Sequence, residues 1–191
     1  MVLIALGGNM PIGNRSPVQT LRWAIDEMAK YQIYVMSVSS FYCTKPVGQA
    51  GQSDYVNAVV RVRVTMKPAN LLKNLKLIEM KAGRGMQPAP LRARWGPRPL
   101  DLDLVDYKTI VTENFHVCSR YSKVTKAQKV QRVGRCKLVL PHPQAHLRPF
   151  VIRPIIDVAP FWHHPVSGLS ALSMWALIKN KPEGSILHKL P

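Results

Sequence analysis

The stretch YVNAVVRVRVTM, residues 55–66, decides the fold class. Val56, Ala58, Val60, Val62, Val64 and Met66 form one row, and Tyr55, Asn57, Val59, Arg61, Arg63 and Thr65 form the other. A period of two is the pleat of a β-strand, and valine's branched Cβ suits it. Pro68 follows, and Leu71, Leu72, Leu75, Ile78 and Ala82 then recur at helical spacing until Gly83 ends the run. Working upstream, residues 33–43 (IYVMSVSSFYC) read as a strand. Before them, Leu21, Ala24, Ile25 and Met28 mark a helix capped by Ser16 and opened by Pro17. VLIAL (2–6), running into Gly7-Gly8-Asn9, is a first strand entering a turn. Downstream, Leu100, Leu102 and Leu104 alternate with Asp101, Asp103 and Val105 in a further strand.

The order β-α-β-β-α-β predicts an α+β protein with a ferredoxin-like core, an antiparallel sheet and additional C-terminal helices. The tail adds a strand-like KLVL (137–140), a Pro-His-Pro turn, a short apolar element near 150–157 and a helix within 168–179. A single domain over residues 1–191 is expected, with a basic insertion at about 112–136. Residues 84–99 contain four prolines and form a long loop, of a length that is usually functional or mobile.

Composition narrows the function classes. The chain has 191 residues, 47% of them apolar, enough for a buried core. No apolar run is long enough to cross a bilayer, and the N-terminus lacks the features of a secretory signal. Cys43, Cys118 and Cys136 form no CxxC pair, which fits a reduced cytoplasmic setting. The net charge of +17 favours polyanions such as a nucleotide triphosphate or nucleic acid. Between Glu113 and Asp157 there is no acidic residue, and Arg120, Lys123, Lys126, Lys129, Arg132 and Arg135 recur at every third position. On an α-helix that series spirals around the axis, so it reads as a solvated basic insertion.

The segment RWGPRPLDLDL (94–104) places two of only 10 carboxylates two residues apart. On a strand they share one face, about 6.7 Å apart. Hard oxygen donors so placed suit Mg²⁺, with water and substrate phosphates as its other ligands. Alternatively, the aspartates face solvent and pair with Arg94 or Arg98. The two arginines are also suited to gripping phosphate oxygens. Trp95, Tyr55 and Asn57 provide rings and an amide for a flat ligand.

The sequence resembles the 6-hydroxymethyl-7,8-dihydropterin pyrophosphokinase family through ALGGN (5–9), SSFYCTKPVGQAGQSDYVNAVV (39–60), LIEMKAGR (77–84), RWGPRPLDLDL (94–104) and LPHPQAHLRPFVIRPIIDVAP (140–160). RWGPR-x-LDLDL is the most specific of these. The resemblance implies transfer of pyrophosphate from ATP to 6-hydroxymethyl-7,8-dihydropterin in folate biosynthesis, with AMP as the second product. It implies Arg84, Arg98, Asp101 and Asp103 as catalytic residues, with Asp101 and Asp103 holding two Mg²⁺ ions. Glu79, Leu104, Lys137, His142 and Arg148 fall at nucleotide-contacting positions. Thr44, Val47, Tyr55, Asn57, Trp95 and Phe150 fall at pterin-contacting ones, with Tyr55 and Phe150 sandwiching the ring. Arg92 is a second candidate for the loop arginine. Gly8 stands where many relatives carry serine, a change expected to be harmless in a turn. Lys45 stands where proline is common. His163 and His164 are expected at the surface.

The implied partners are ATP and a pterin, with no membrane, and the chain is expected to be a monomer or weak dimer. The competing class is an RNA-binding ferredoxin-like module. It lacks the string of exposed aromatics on one strand, and Asp101 and Asp103 would repel a phosphate backbone.

Overall fold

The computed structural model describes residues 1–48, 51–85, 96–112 and 138–191. Its strands are β1 (Val2–Gly8), β2 (Tyr34–Val38), β3 (Tyr42–Thr44), β4 (Tyr55–Arg63), β5 (Asp101–Tyr107) and β6 (Ile186–Lys189). Its α-helices are α1 (Pro17–Met28), α2 (Pro68–Lys81), α3 (Pro149–Val158) and α4 (Ala171–Ile178). The strands form one antiparallel sheet in the order β5-β1-β4-β3-β6, with β2 also pairing along β4. Among the described residues no helix is long and apolar enough to cross a membrane.

Both faces of the sheet are covered, which explains why β4 is apolar on both rows. Val56, Ala58, Val60, Val62 and Val64 pack with Leu21, Ala24 and Met28 of α1 and Leu71, Leu75 and Ile78 of α2. Val59 lies on the other face with Leu3, Ala5 and Val105, against Val151, Ile152 and Ile155 of α3 and Ala171 and Met174 of α4. Local chemistry sets the helix starts. Ser16 caps α1 in a reciprocal box, its hydroxyl accepting from the Gln19 N–H at 3.4 Å while Gln19 Oε1 accepts from the Ser16 N–H at 2.8 Å.

Several elements differ from the sequence expectation. The strand over 33–43 is interrupted: β2 ends at Val38 and β3 begins at Tyr42. Between them the Ser39 N–H and hydroxyl turn inward, donating to Val59 O and accepting from Val59 N, each at 2.9 Å. Residues 138–140 are not a strand. They cross beside Thr112, whose N–H donates to Leu140 O at 2.9 Å, while Lys137 lies outside the described residues. The apolar element near 150–157 is helix α3, and β6 was not expected at all. Most of the basic insertion, residues 113–136, also lies outside the described residues.

His163 is exposed as expected, but His164 is 2% exposed. Its Nδ1 accepts from the N–H groups of Val166 and Ser167 at 3.3 and 3.2 Å, which closes the turn before α4. Its ring meets those of His146 and Trp162 edge-on, with centroids 5.1 and 5.9 Å apart. Burial, with a smaller contribution from His146, pushes its pKa down to about 4. An unfolded histidine titrates near ~6.5, so between those values the unfolded chain binds a proton that the folded one refuses. Stability is therefore full above pH ~6.5 and falls, by about 3 kcal/mol at most, as pH drops to 4. The thermal midpoint followed from pH 7 to 4 should show this loss, and His164→Gln should flatten it.

Candidate active site

The floor of the cleft follows from the register of three strands. Gly7 lies opposite Asn57 of β4 on one side and Asp101 of β5 on the other, and Ala5 lies likewise between Val59 and Asp103. Asp101, Asp103, Asn57 and Tyr55 thus rise from one face around two residues with almost no side chain. Helix α3 covers the remainder of that face and stops short of this end, presenting Arg148, Phe150 and Val151 at its rim. The resulting open cleft is also lined by Thr44, Lys45, Val47 and Arg98.

Asp101 and Asp103 share a face, as the alternation requires, and Leu102 and Leu104 are buried beneath it. Arg84 Nη1 pairs with one oxygen of Asp101, and Arg98 Nη1 lies 2.9 Å from the other. Burial works against ionisation here, but the two guanidiniums outweigh it and hold the Asp101 pKa below the usual carboxylate range. Asp103 Oδ2 has looser company, with His142 Nε2 and Arg148 Nη1 each at 3.8 Å. His142 is brought there by its N–H, which donates to Val105 O at 2.9 Å and hooks the loop onto β5. Burial lowers the pKa of His142 despite the opposing charge of Asp103. Its Nδ1 accepts from the Gln144 N–H at 3.2 Å, so in the neutral ring the proton sits on Nε2.

Asn57 Nδ2 donates to Thr44 Oγ1 at 2.8 Å, which orients the amide, and the Tyr55 hydroxyl donates to Gly96 O at 3.1 Å. The Arg148 guanidinium lies over the Phe150 ring, 5.6 Å from its centroid. Thr44, Val47, Tyr55, Asn57, Phe150, Arg98, Asp101, Asp103 and Arg148 therefore converge on one cleft.

The side chains of two residues expected at the nucleotide do not line this cleft. Leu104 faces the opposite side of the sheet, in the core with α2, so its side chain is turned away from the cleft. Glu79 is 2% exposed and underlies β5, accepting from Lys76 Nζ and from the Leu102 N–H, both at 2.7 Å, with Arg84 Nη1 also at 2.7 Å. Burial raises its pKa against the pull of Lys76 and Arg84. Trp95, Lys137 and Arg92 lie outside the described residues.

Asn9, within ALGGN, is a functional residue that the sequence pattern does not single out. Its Oδ1 accepts from the Arg98 N–H at 2.9 Å, its own N–H donates to Arg98 O at 3.0 Å, and its Nδ2 donates to Ser53 O at 3.0 Å. It ties the β1 turn to the segment carrying Arg98 and to the loop before β4. A polar residue directly after two glycines was the available signal. Gly8 is also more constrained than expected: it ends β1, and a Cβ there would fall 2.5 Å from Pro99 O.

Among the described residues no group of three His, Cys, Asp or Glu side chains gathers as a metal site. Two carboxylates on one strand face are nonetheless a suitable donor set for Mg²⁺, which takes its remaining ligands from water and substrate phosphates.

A family model described as 7,8-dihydro-6-hydroxymethylpterin-pyrophosphokinase matches residues 3–160. A Synechocystis sp. protein named 2-amino-4-hydroxy-6-hydroxymethyldihydropteridine pyrophosphokinase is 34% identical over 175 residues, covering 90% of this chain and 73% of its own. The Haemophilus influenzae protein of the same name is 34% identical over 157 residues, covering 82% of this chain and 79% of its own. Among solved structures, an HPPK-DHPS crystallised in complex with substrates superposes with a TM-score of 0.57 over 92% of this chain and 42% of that one. At 11% identity that likeness concerns the fold alone.

Two stability outcomes follow from the packing. Glu79→Ala leaves the buried Leu102 N–H without its acceptor and removes one of the two carboxylates beside half-buried Arg84, and should lower unfolding free energy by about 1–3 kcal/mol in chemical denaturation. Gly8→Ser forces the backbone at Pro99 to move and should cost about 1–3 kcal/mol by the same measurement.

Proposed function

The chain belongs to the 7,8-dihydro-6-hydroxymethylpterin-pyrophosphokinase family, and from that premise we propose how its residues divide the work. The reaction moves a pyrophosphoryl group from ATP to 6-hydroxymethyl-7,8-dihydropterin in folate synthesis. The pterin hydroxymethyl oxygen bonds to the β-phosphorus and gives up its proton to water, the bond from the β-phosphorus to the α,β-bridging oxygen breaks, and AMP departs with that oxygen. The single observation carrying the assignment is that an amide-and-aromatic subsite and a carboxylate-and-arginine subsite share one cleft, separated by Gly7.

In this reading Asn57, oriented by Thr44, hydrogen-bonds the pterin edge, while Tyr55, Phe150 and Val47 pack its faces. Two strand spacings separate Asn57 from Asp101, roughly 10 Å, which is room for a bicyclic ring and its hydroxymethyl arm. Arg98, Arg148 and the Nε2–H of His142 bind phosphate oxygens, and Arg98 and Arg84 offset charge as the bridging bond breaks. Such positioning and charge stabilisation supply most of the catalysis in phosphoryl transfer. Asp101 and Asp103 would hold Mg²⁺, two ions in the full proposal. Bound there, the metal would supply charge neutralisation and polarisation of phosphate oxygens. Arg84 and Arg98 keep Asp101 ionised and ready to ligate. Glu79 holds Arg84 and the β5 backbone in place, a positioning role instead of a nucleotide contact.

With β2 and β3 taken as halves of one interrupted strand, the order β5-β1-β4-β2/β3 supports a ferredoxin-like core to which β6 is added. A requirement for ATP fits a cytoplasmic setting. The comparisons lend no support to the RNA-binding alternative.

An AMP-release assay tests the reading. Release should require ATP, Mg²⁺ and hydroxymethyl-dihydropterin together, and release unaffected by omitting the pterin would refute it. Asp101→Asn and Asp103→Asn should each lower turnover about 100-fold or more at saturating Mg²⁺. Near-normal turnover in either variant would remove that residue from the metal assignment.

A further inference from the structure

The C-terminal segment lies beyond the residues that the family model matches, yet it reaches the cleft. Strand β6 pairs with β3, Ile186 opposite Thr44 and His188 opposite Cys43, and the Lys45 N–H donates to Ser185 O at 3.0 Å. On the other side, Lys181 Nζ donates to Leu147 O at 3.3 Å, next to Arg148 at the start of α3. The turn at 182–185 is thus fastened both to the strand that leads into Val47 and to the helix that carries Phe150.

Gly184 is the closest point. Its φ is +67°, and a Cβ built on it would lie 2.5 and 2.8 Å from Phe150 Cδ1 and Cε1 and 3.2 Å from Val47 Cγ2. The backbone there is a wall against which the Phe150 ring rests, and no side chain fits between them. An alanine would have to push the ring into the cleft or lift the turn off the sheet.

We infer that Gly184 is a positioning residue for the pterin subsite: the C-terminal arm sets how far the Phe150 ring and Val47 project into the cleft. The inference rests on the reading of Phe150 and Val47 as pterin contacts. Because Asp101, Asp103 and Arg98 are held from other elements, displacing the ring should alter pterin recognition chiefly, with only a small effect on ATP through Arg148, whose guanidinium lies over the ring.

The test is steady-state kinetics on Gly184→Ala, with Gly168→Ala as the control. Gly168 has nearly the same φ, +69°, with nothing within 4 Å of its Cβ position, so it reproduces the backbone strain without the crowding. Gly184→Ala should raise the KM for hydroxymethyl-dihydropterin about tenfold while the KM for ATP stays within about twofold, and Gly168→Ala should change neither. Phe150→Ala separates the two levels of the argument. If it leaves the pterin KM unchanged, the subsite assignment itself is wrong. If it raises the pterin KM while Gly184→Ala does not, the subsite stands and the positioning role is overturned. The double variant closes the cycle: without the ring, Gly184→Ala should add no further rise in pterin KM. Should Gly184→Ala alone fold poorly, Phe150→Ala should restore its thermal midpoint toward that of Gly168→Ala. Failure of that rescue would likewise overturn the inference.

Discussion

The cleft depends on the charge of Asp101 being kept where water is scarce. A partly buried carboxylate is stable as an anion only with opposite charge beside it, and here two guanidiniums arrive from different directions. Arg84 comes from the end of α2 and is itself held by Glu79, which also grips the backbone of β5. Arg98 comes from the loop before β5, and its backbone is bound to Asn9 at the end of β1. One carboxylate thereby ties together the second helix, the β5 edge and the β1 turn. The arrangement leaves strong positive charge next to anionic oxygens, the pairing that a metal–phosphate substrate complements.

The sheet makes this possible by being unequally covered. One face is sealed by α1 and α2 along its length, and their leucines pack on the even-numbered residues of β4. The other face is sealed by α3 and α4 only over Leu3, Ala5, Val59 and Val105. From Asp103, beside Ala5, the same face continues as Gly7, Asn57 and Asp101, without a helix above it. Core and cleft are consecutive parts of one pleated surface. The switch from valine and leucine to asparagine and aspartate along neighbouring strands marks the boundary.

Much of this was legible because it is local. A period of two placed β4, proline and serine placed the helix starts, and alternation placed Asp101 and Asp103 on one side with Leu102 and Leu104 on the other. The motif RWGPR-x-LDLDL carried the resemblance to the family to which the chain belongs. Other features were illegible for equally definite reasons. The interruption at Ser39 is an inward hydrogen bond to β4, invisible in a run of β-branched and aromatic residues. Residues 138–140 look like a strand but have Thr112 as their partner in place of a sheet edge. Glu79 resembled a site residue by position, and only burial beneath β5 reveals what its oxygens hold.

From the sequence alone came the period of each element, the scarcity and spacing of the carboxylates, and the chemistry of each side chain, since these depend on neighbours within a few residues. The tertiary structure alone decided which strands adjoin, that Asn57 and Asp101 flank Gly7, that Asn9 clasps Arg98, and that Gly184 rests on Phe150 from 34 positions away. The physical reason is that strand register and close packing are relations between distant segments, settled by which surfaces exclude water together. No local pattern in any one segment encodes its partner.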